Sequence, residues 1–104
     1  MSVFAKRLKE ARRACGLSQE KLGVLAGIEE ESASSRMNHY EKGRHEPDFS
    51  MVERLAKVLE VPEAFFYAKD DDVAWILSRF QRLKKSQRMS VVKHLAEILN
   101  EPLP

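Results

Sequence analysis

The chain has 104 residues, of which 43% are hydrophobic and 33% charged, and its formal net charge is +2. This length provides one compact unit with a single core, and the composition excludes a fibrous or disordered chain. The single cysteine excludes an internal disulfide, and the three histidines are too widely spaced to form a metal site, so neither a metal nor a cofactor is predicted.

No apolar run approaches the roughly 18 residues that cross a bilayer. Val3 and Phe4 lead directly into Lys6 and Arg7, without the hydrophobic segment of a signal peptide. We therefore expect a cytoplasmic protein that does not associate with a membrane. Cys15 is expected to be a small residue packed at a helix end.

Charge is segregated along the chain. Basic residues are concentrated at the start, in the middle and at the end, and two acidic blocks, 29–31 and 70–72, lie between them. Because the net charge is small, this distribution says more about a polyanionic partner than the total does. The neutral interpretation is that these are ordinary solvated helix faces.

The first two helices are indicated by caps and by apolar residues at helical spacing. Ser2 is a candidate N-cap for a helix that Gly16 is placed to end, and Ser18 can cap a second helix that ends at Gly27. The first helix repeats its apolar positions at Phe4, Leu8, Ala11 and Cys15. The second turns Leu22 inward, together with Leu25 or Ala26.

The third helix has a less definite start. Ser32, Ser34 and Ser35 are each suitable N-caps, so the helix is predicted to begin anywhere from position 30 to position 34. Met37 and Tyr40 are expected to face inward, and Gly43 follows where the helix should end.

A fourth and a fifth helix complete the first part of the chain. Asp48 is the expected N-cap of the fourth, whose apolar stripe consists of Val52, Leu55, Ala56 and Leu59. The fifth is short, begins near Pro62, and should bury Phe65 or Phe66 with Tyr67. Five helices are therefore predicted to end by about Ala68.

Two further amphipathic helices follow the acidic segment at 70–72. The first has its apolar positions at Val73, Ile76, Leu77, Phe80 and Leu83. The second is expected to start at Ser86 and to end before Pro102, with its apolar positions at Met89, Val92, Leu95, Ala96 and Leu99. Because no segment alternates with a period of two, the predicted fold class is all-α.

Four motifs between Leu8 and Tyr67 resemble the phage-repressor-like family of DNA-binding proteins (Xre, or Cro and cI type). In chain order these are R-x-x-x-G-L-S-Q-E-x-L, A-G-I, N-H-Y-E-K-G-R-x-x-P and V-x-x-L-A-K-V-L-x-V-P. Each is weak alone, but their order and spacing are specific. The resemblance implies a five-helix lambda-repressor-like domain at 1–68 with a helix-turn-helix. It stops near Tyr67, and the two helices predicted from periodicity form a C-terminal extension at 69–104.

The resemblance also implies roles for residues at matching positions. Gln19, at the start of the second helix, would contact the DNA backbone, although it could equally be a solvated helix residue. Arg12 would pair with Glu41 and tie the first helix to the end of the third. The alternative for this pair is a surface contact worth under about 1 kcal/mol.

Alignment backward from Glu41 defines the expected DNA-reading residues. The residues on the groove-facing side of the third helix are Ser34, Ser35, Arg36, Asn38 and His39. Arg suits guanine, Asn suits adenine, and Ser adapts to a base or a phosphate. Arg36 is the strongest prediction, whereas Asn38 could bind a phosphate and His39 could be an ordinary surface residue. Lys42, Arg44 and His45 follow in the loop and are expected to bind phosphates.

The chain departs from the family pattern at three places. It has about four more residues between Ile28 and the recognition helix than the usual spacing, so either the turn is longer or the helix gains an N-terminal turn. The carboxylates at 29–31 would be stabilised there by the helix dipole and are expected to point away from the DNA backbone. Gly23 replaces the usual alanine, which could loosen the motif, and Glu60 stands where a glycine often ends the fourth helix.

The extension carries more apolar surface than a solvated tail requires, so it should either cap its own domain or pair with a second chain. We expect a dimer interface, formed by Trp75, Ile76, Phe80, Val92, Leu95 and Leu99. Lys84, Lys85 and Arg88 are expected to be solvated rather than bound to DNA.

The leading functional hypothesis is a transcriptional regulator, with repression as its expected action, that reads a palindromic operator in double-stranded DNA as a homodimer. The alternative is an interaction module, such as an antitoxin or anti-repressor partner. An enzyme is not expected, because no phosphate loop, metal cluster or Ser/His/Asp arrangement is present. No small-molecule ligand is expected either, because no separate ligand domain is recognisable.

Overall fold

The computed structural model describes residues 2–104, and this part of the chain is all-helical, as predicted. Six α-helices and one 3₁₀ helix follow one another: α1 (Val3–Ala14), α2 (Gln19–Leu25), α3 (Glu30–Glu41), α4 (Phe49–Leu59), the 3₁₀ helix (Glu63–Tyr67), α5 (Asp71–Phe80) and α6 (Lys85–Leu99). None of these helices is both long enough and apolar enough to cross a membrane.

Three of the helices begin at the N-caps that the sequence predicted. The side chains of Ser2, Ser18 and Asp48 each accept a hydrogen bond from the backbone N–H three residues later, at 2.9–3.1 Å. Each cap satisfies one of the N–H groups that a helix start leaves without a backbone partner. The starts of α1, α2 and α4 therefore follow from local sequence alone.

The end of α4 is unusual because a glutamate adopts a left-handed conformation there. Glu60 has φ 56° and ψ 44°, and its N–H caps the last turn of α4. A side chain in this region costs roughly 1–2 kcal/mol relative to the right-handed region, which is why glycine is the usual residue. The rest of the fold offsets this cost.

The core lies among α1, α2, α3, α4 and the 3₁₀ helix. Its fully buried side chains include Leu8, Leu22, Met37, Leu55 and Phe66. The predicted inward stripe of α4 is buried throughout, and Tyr40 of α3 is 6% exposed. The inward positions predicted for α1, except Cys15, and for α3 and α4 are therefore buried.

Several expectations about individual residues were wrong. Tyr67 is 56% exposed and lies over the Phe4 ring at the surface, because the 3₁₀ helix turns Phe65 and Phe66 inward instead. Cys15 follows the last residue of α1 and is exposed. The sequence left the second inward residue of the second helix open between Leu25 and Ala26. The structure buries Ala26, the C-cap of α2, whereas Leu25 is 49% exposed.

The two C-terminal helices differ in how they pack. Helix α5 contacts the 3₁₀ helix and buries Ala74 and Ser78, with Leu77 packed against the core. Val73 and Ile76, predicted as part of its apolar stripe, are exposed because the small residues face inward. The extension thus partly caps the preceding helices through α5.

Helix α6 extends away from the core. It begins at Lys85 rather than Ser86, and none of its residues is buried. The guanidinium of Arg88 donates to the carbonyl oxygens of Phe80 and Gln81 at 3.2 and 3.0 Å, which fixes the turn from α5 into α6. The resulting molecule is elongated, with extents of 52 × 26 × 23 Å.

Candidate nucleic-acid interface

Helices α2 and α3 approach each other closely at Gly23. A Cβ atom at this position would lie 2.8 Å from Cβ of Ala33 and 3.1 Å from Cγ of Met37, closer than packed carbon atoms approach. The expectation that Gly23 loosens the motif was therefore wrong. The missing side chain allows the two helices to touch.

The extra residues before the recognition helix lengthen the helix and not the turn. Only the four residues 26–29 separate α2 from α3, which starts at Glu30 and runs for 12 residues. Glu29 is the N-cap residue but makes no side-chain cap hydrogen bond, so none of the predicted serine caps is used. Of the two alternatives left open by the sequence, the added helical turn is the one found.

One face of α3 carries exposed polar side chains at successive turns. Ser34 and Ser35 are exposed and Asn38 is partly exposed, and spacings of three and four residues put them on the same side of the helix. Glu31 lies one turn before Ser35 and is also exposed, so it is on the same side of the helix. The face is accordingly polar but not purely basic.

Arg36 lies on a neighbouring flank of α3. Its Nη2 donates to the hydroxyl of Tyr40 at 2.9 Å, and its guanidinium carbon is 6.0 Å from the centre of that ring. Tyr40 is itself buried among core residues. Arg36 is therefore held at the edge of the polar face, not at its centre.

A hydrogen-bonded network joins α1, α2 and α3 behind this face. Arg12 donates from Nε and Nη2 to both carboxylate oxygens of Glu41, at 2.6 and 3.0 Å, and from Nη1 to the Leu17 carbonyl at 2.8 Å. The side chains are 12% and 3% exposed, so the pair is not a surface contact. The hydrogen bonds to Glu41 raise the pKa of Arg12 above its ordinary value, despite partial desolvation.

Gln19 belongs to the same network. Its Nε2 donates to Oε1 of Glu41 at 3.2 Å and to Oδ1 of Asn38 at 3.4 Å. The amide therefore links the start of α2 to the exposed face of α3. This contact orients Asn38, a role that the sequence did not indicate.

Basic side chains follow α3 in the loop at 42–46. Lys42 and Arg44 are exposed, and within residues 2–104 neither forms an ion pair. The backbone N–H groups of Arg44 and His45 donate to the carbonyl of His39, and the two histidine rings meet edge to face at 4.9 Å. This packing keeps His39, His45 and the basic loop beside the end of α3.

Arg54 supports the turn between α2 and α3, which the sequence did not reveal. Its Nε donates to the carbonyl of Ala26 at 2.8 Å, and its Nη1 donates to the hydroxyl of Ser50 at 3.1 Å. A Cβ atom at Gly27 would lie 3.7 Å from Nε of Arg54, so the Arg54 side chain packs beside this turn. Only the second of the two hydrogen bonds is at helical spacing, so the first could not be anticipated from periodicity.

The residues predicted for a dimer interface lie at the molecular surface. Trp75, Ile76, Leu95 and Leu99 are between 51% and 57% exposed, and Phe80 and Val92 are half-buried. The guanidinium of Arg79 stacks on the Trp75 ring at 4.9 Å. The large exposed apolar side chains of this region therefore belong to α5 and α6, and none of them belongs to α3.

The described part of the chain, residues 2–104, has no group of three or more His, Cys, Asp or Glu side chains arranged to hold a metal ion. The polar face of α3 offers hydroxyl and amide groups, with cations beside it. These groups suit hydrogen bonding to base edges and phosphates.

Comparison with known proteins agrees with this geometry. A family model described as a helix-turn-helix domain matches residues 3–64. Two curated relatives, an uncharacterized HTH-type transcriptional regulator from Sinorhizobium medicae (strain WSM419) and the uncharacterized HTH-type transcriptional regulator R00410 from Rhizobium meliloti (strain 1021), are each 34% identical over 61 residues. The matched segment covers 59% of this chain and 41% of each relative, so the chain matches only about two fifths of their length.

A solved structure resembles the chain over almost its whole length. The crystal structure of transcriptional regulator BswR superposes with a TM-score of 0.87 at 38% sequence identity. The superposition covers 96% of this chain and 97% of that one. The similarity therefore includes α5 and α6 as well as the helices that the family model matches.

Proposed function

The chain belongs to the helix-turn-helix family of DNA-binding transcriptional regulators, and we propose that it acts as a repressor, binding a palindromic operator as a homodimer. One observation carries the proposal: α3 presents Ser34, Ser35 and Asn38 on one exposed face, directly before a loop with free cations at Lys42 and Arg44. Helices of this motif lie in the major groove and contact base edges with their leading residues. The proposed activity is binding and not catalysis, and its site is the cytoplasm.

The proposed contacts are of two kinds: some determine the base sequence that is bound, and others hold the protein on the DNA backbone. Ser34, Ser35, Asn38 and His39 face the bases, while Lys42, Arg44 and His45 bind phosphates on the flanking backbone. Arg36 reaches the groove from the Tyr40 flank, where its guanidinium can turn toward guanine or toward a phosphate.

Gln19 lies at the edge of this surface, beside Asn38. A contact between its amide and the DNA backbone requires one of its two hydrogen bonds, to Asn38 or to Glu41, to open. The longer bond, 3.4 Å to Asn38, is the weaker one. DNA binding would then release Asn38 for contact with a base.

The homodimer is supported by the unpartnered apolar surface of α5 and α6. Large apolar side chains that are half or more exposed, such as Trp75, Leu95 and Ile98, form a surface that monomeric proteins rarely leave open. A two-fold dimer presents two copies of α3, and an operator with two-fold symmetry requires two such copies about one helical turn apart.

An interaction module is the second candidate function. The exposed side chains of α6 would then bind a different protein, and the reading helices would serve as a scaffold. This alternative predicts a monomer in the absence of its partner, with little dependence on nucleic acid.

Two measurements on the same preparation separate the candidates: the mass in solution and the affinity for random duplex DNA as a function of salt concentration. The repressor should have the mass of two chains, and its affinity should fall steeply as salt displaces the phosphate contacts. A monomer whose binding does not depend on salt would contradict the repressor and favour the interaction module.

A further inference from the structure

Arg7 is a buried cation on α1, at the junction between the first five helices (residues 2–68) and the C-terminal extension (residues 69–104). Its side chain is 1% exposed, although it lies on the first helix of a small domain. A buried guanidinium is tolerated only when its N–H groups find acceptors. The identity of those acceptors defines what Arg7 holds together.

The acceptors of Arg7 lie mainly in the segment that connects the 3₁₀ helix to α5. Nε donates to the carbonyl of Ala68 at 2.8 Å, and Nη2 donates to the carbonyl of Lys69 at 3.0 Å. Nη1 donates to Asp71, the first residue of α5, at 3.0 Å, and to Glu10 on α1 at 3.1 Å. One planar group therefore contacts two successive carbonyls and the start of the next helix.

The Asp71 contact is reinforced by a second cation. Nζ of Lys6 lies 3.5 Å from the same carboxylate oxygen. The hydrogen bond from Arg7, followed by the charges of Lys6 and Arg7, lowers the pKa of Asp71 below its ordinary value. Because Asp71 is 82% exposed, solvent screens this pair. The contact to the Ala68 carbonyl is buried and the one to the Lys69 carbonyl is partly buried, so these two contacts provide most of the constraint.

We propose that Arg7 is a positioning residue that fixes the direction in which α5 and α6 leave the first five helices. It would thereby set the spacing between the two half-sites of the operator. This inference rests on the proposed homodimer. The apolar residues proposed for pairing lie on α5 and α6, so a rotation at the start of α5 would move the two copies of α3 relative to each other. Arg7 holds the backbone at that point.

The geometry of the contact requires arginine. The guanidinium reaches four acceptors because its donors form a rigid planar fork. A lysine keeps the charge but presents a single ammonium group, which cannot contact both carbonyls and Asp71 in the same arrangement. Arg7→Lys therefore removes the constraint and retains the charge.

The test compares binding of the full-length dimer to a series of duplexes that carry two wild-type half-sites separated by spacers differing by one base pair. Wild type should prefer one spacing sharply. In Arg7→Lys this preference should fall by about fivefold or more, the lower end of typical coupling between sites. Binding to a single half-site should be unchanged.

Two further variants keep the test decisive if Arg7→Lys fails to fold. Asp71→Asn weakens only the contact to α5, so it should reduce the spacing preference in the same direction and by a smaller factor. Asp72→Asn is the matched control, because it changes the same charge in the same helical turn. Among residues 2–104, the Asp72 carboxylate accepts a hydrogen bond only from the N–H of Val73. It should behave as wild type.

The outcomes distinguish this inference from the proposed function. The role of Arg7 alone would be overturned if the wild-type spacing preference survived in folded Arg7→Lys or, where Arg7→Lys does not fold, in Asp71→Asn. An equal loss of affinity at every spacing and on the single half-site would also overturn it. A wild-type chain that binds no duplex, or only single half-sites as a monomer, would overturn the proposed homodimeric repressor and this inference with it.

Discussion

Two kinds of polar side chain line the proposed DNA surface, and removing each kind should change DNA binding in a different way. Arg44 is exposed in the loop after α3, where a cation neutralises a phosphate whatever the adjacent base. Ser35 lies on the exposed face of α3, and we propose that its hydroxyl contacts base edges. The difference provides the first prediction.

Arg44→Ala should lower affinity by a similar factor on every DNA sequence and reduce the salt slope by about one unit per bound subunit. Ser35→Ala should leave affinity for random DNA nearly unchanged and relax the preference at one operator position by about 1–3 kcal/mol. Arg36→Ala should resemble Ser35→Ala if its guanidinium reads a base. A uniform loss in Arg36→Ala would assign that residue to the phosphates. Fluorescence anisotropy titrations at several salt concentrations measure all three.

The second prediction concerns the Arg12–Glu41 pair, which lies behind the polar face of α3. Because Glu41 is 3% exposed, Arg12→Ala leaves a buried carboxylate without its main partner and should cost about 3 kcal/mol of unfolding free energy. Glu41→Ala should cost a similar amount, and the double variant should cost clearly less than the sum. Urea unfolding of the three variants gives the coupling directly. Additive costs would show that the two side chains do not stabilise each other.

Some of these side-chain contacts could be predicted from the sequence, and others could not. The Arg12–Glu41 pair was proposed from the family resemblance, since 29 residues separate the two partners. Arg7 and Arg54 donate to backbone carbonyls that are 61 and 28 residues distant, and a carbonyl acceptor carries no side-chain signature. Contacts of this kind depend on tertiary packing, so the spacing of apolar residues in the sequence does not predict them.

At the scale of the helices, the crossing of α2 and α3 depends on the absence of a side chain at Gly23. Gly23→Ala gains about 1 kcal/mol of helix propensity. It also introduces a Cβ 2.8 Å from that of Ala33, and overpacking of this kind typically costs about 1–3 kcal/mol. The variant should therefore be destabilised and should bind DNA less tightly, because α3 is displaced.

Thermal unfolding of Gly23→Ala measures this effect, and Gly23→Ala combined with Ala33→Gly is its control. The double variant removes the closer of the two contacts, so it should recover part of the DNA affinity even though the second glycine lowers helix propensity. A Gly23→Ala variant that is more stable than wild type would show that the helices are not in close contact at this position.

Helix boundaries could be predicted where a local cap marks them. Ser2, Ser18 and Asp48 each carry an acceptor that reaches the N–H three residues on, so the sequence contains the signal. Helix α3 lacks such a signal, because Glu29 makes no cap hydrogen bond and the serines that suggested a cap lie within the helix. The inward face of α5 was predicted incorrectly in part: Ala74 and Ser78 are buried, whereas Val73 and Ile76 are exposed, because α5 packs on the 3₁₀ helix through its small residues.

For the whole molecule, the proposed dimer places the apolar surface of α5 and α6 between two chains. Trp75→Ala with Leu95→Ala should raise the dimer dissociation constant at least about thirtyfold, corresponding to about 2 kcal/mol for a buried aromatic anchor. Operator binding should weaken more than binding to random DNA, because only the operator requires two reading helices. Sedimentation equilibrium measures the association.

Phe49→Ala provides the control for that experiment. Phe49 is 62% exposed on α4, slightly more than Trp75, and it is not part of the proposed interface. Its removal should leave the mass in solution unchanged. Equal effects of the two changes on the mass would show that dimerisation, if present, does not use α5 and α6.

Selection of bound sequences from a random pool of duplex DNA tests the central proposal most directly, because it examines binding, base preference and symmetry together. We predict that the full-length chain enriches an inverted repeat whose half-sites are centred about one helical turn apart, roughly 10–10.5 base pairs. Recovery of a pool indistinguishable from the starting material, or of a single half-site without a symmetric partner, would contradict a homodimer that reads a palindromic operator through α3.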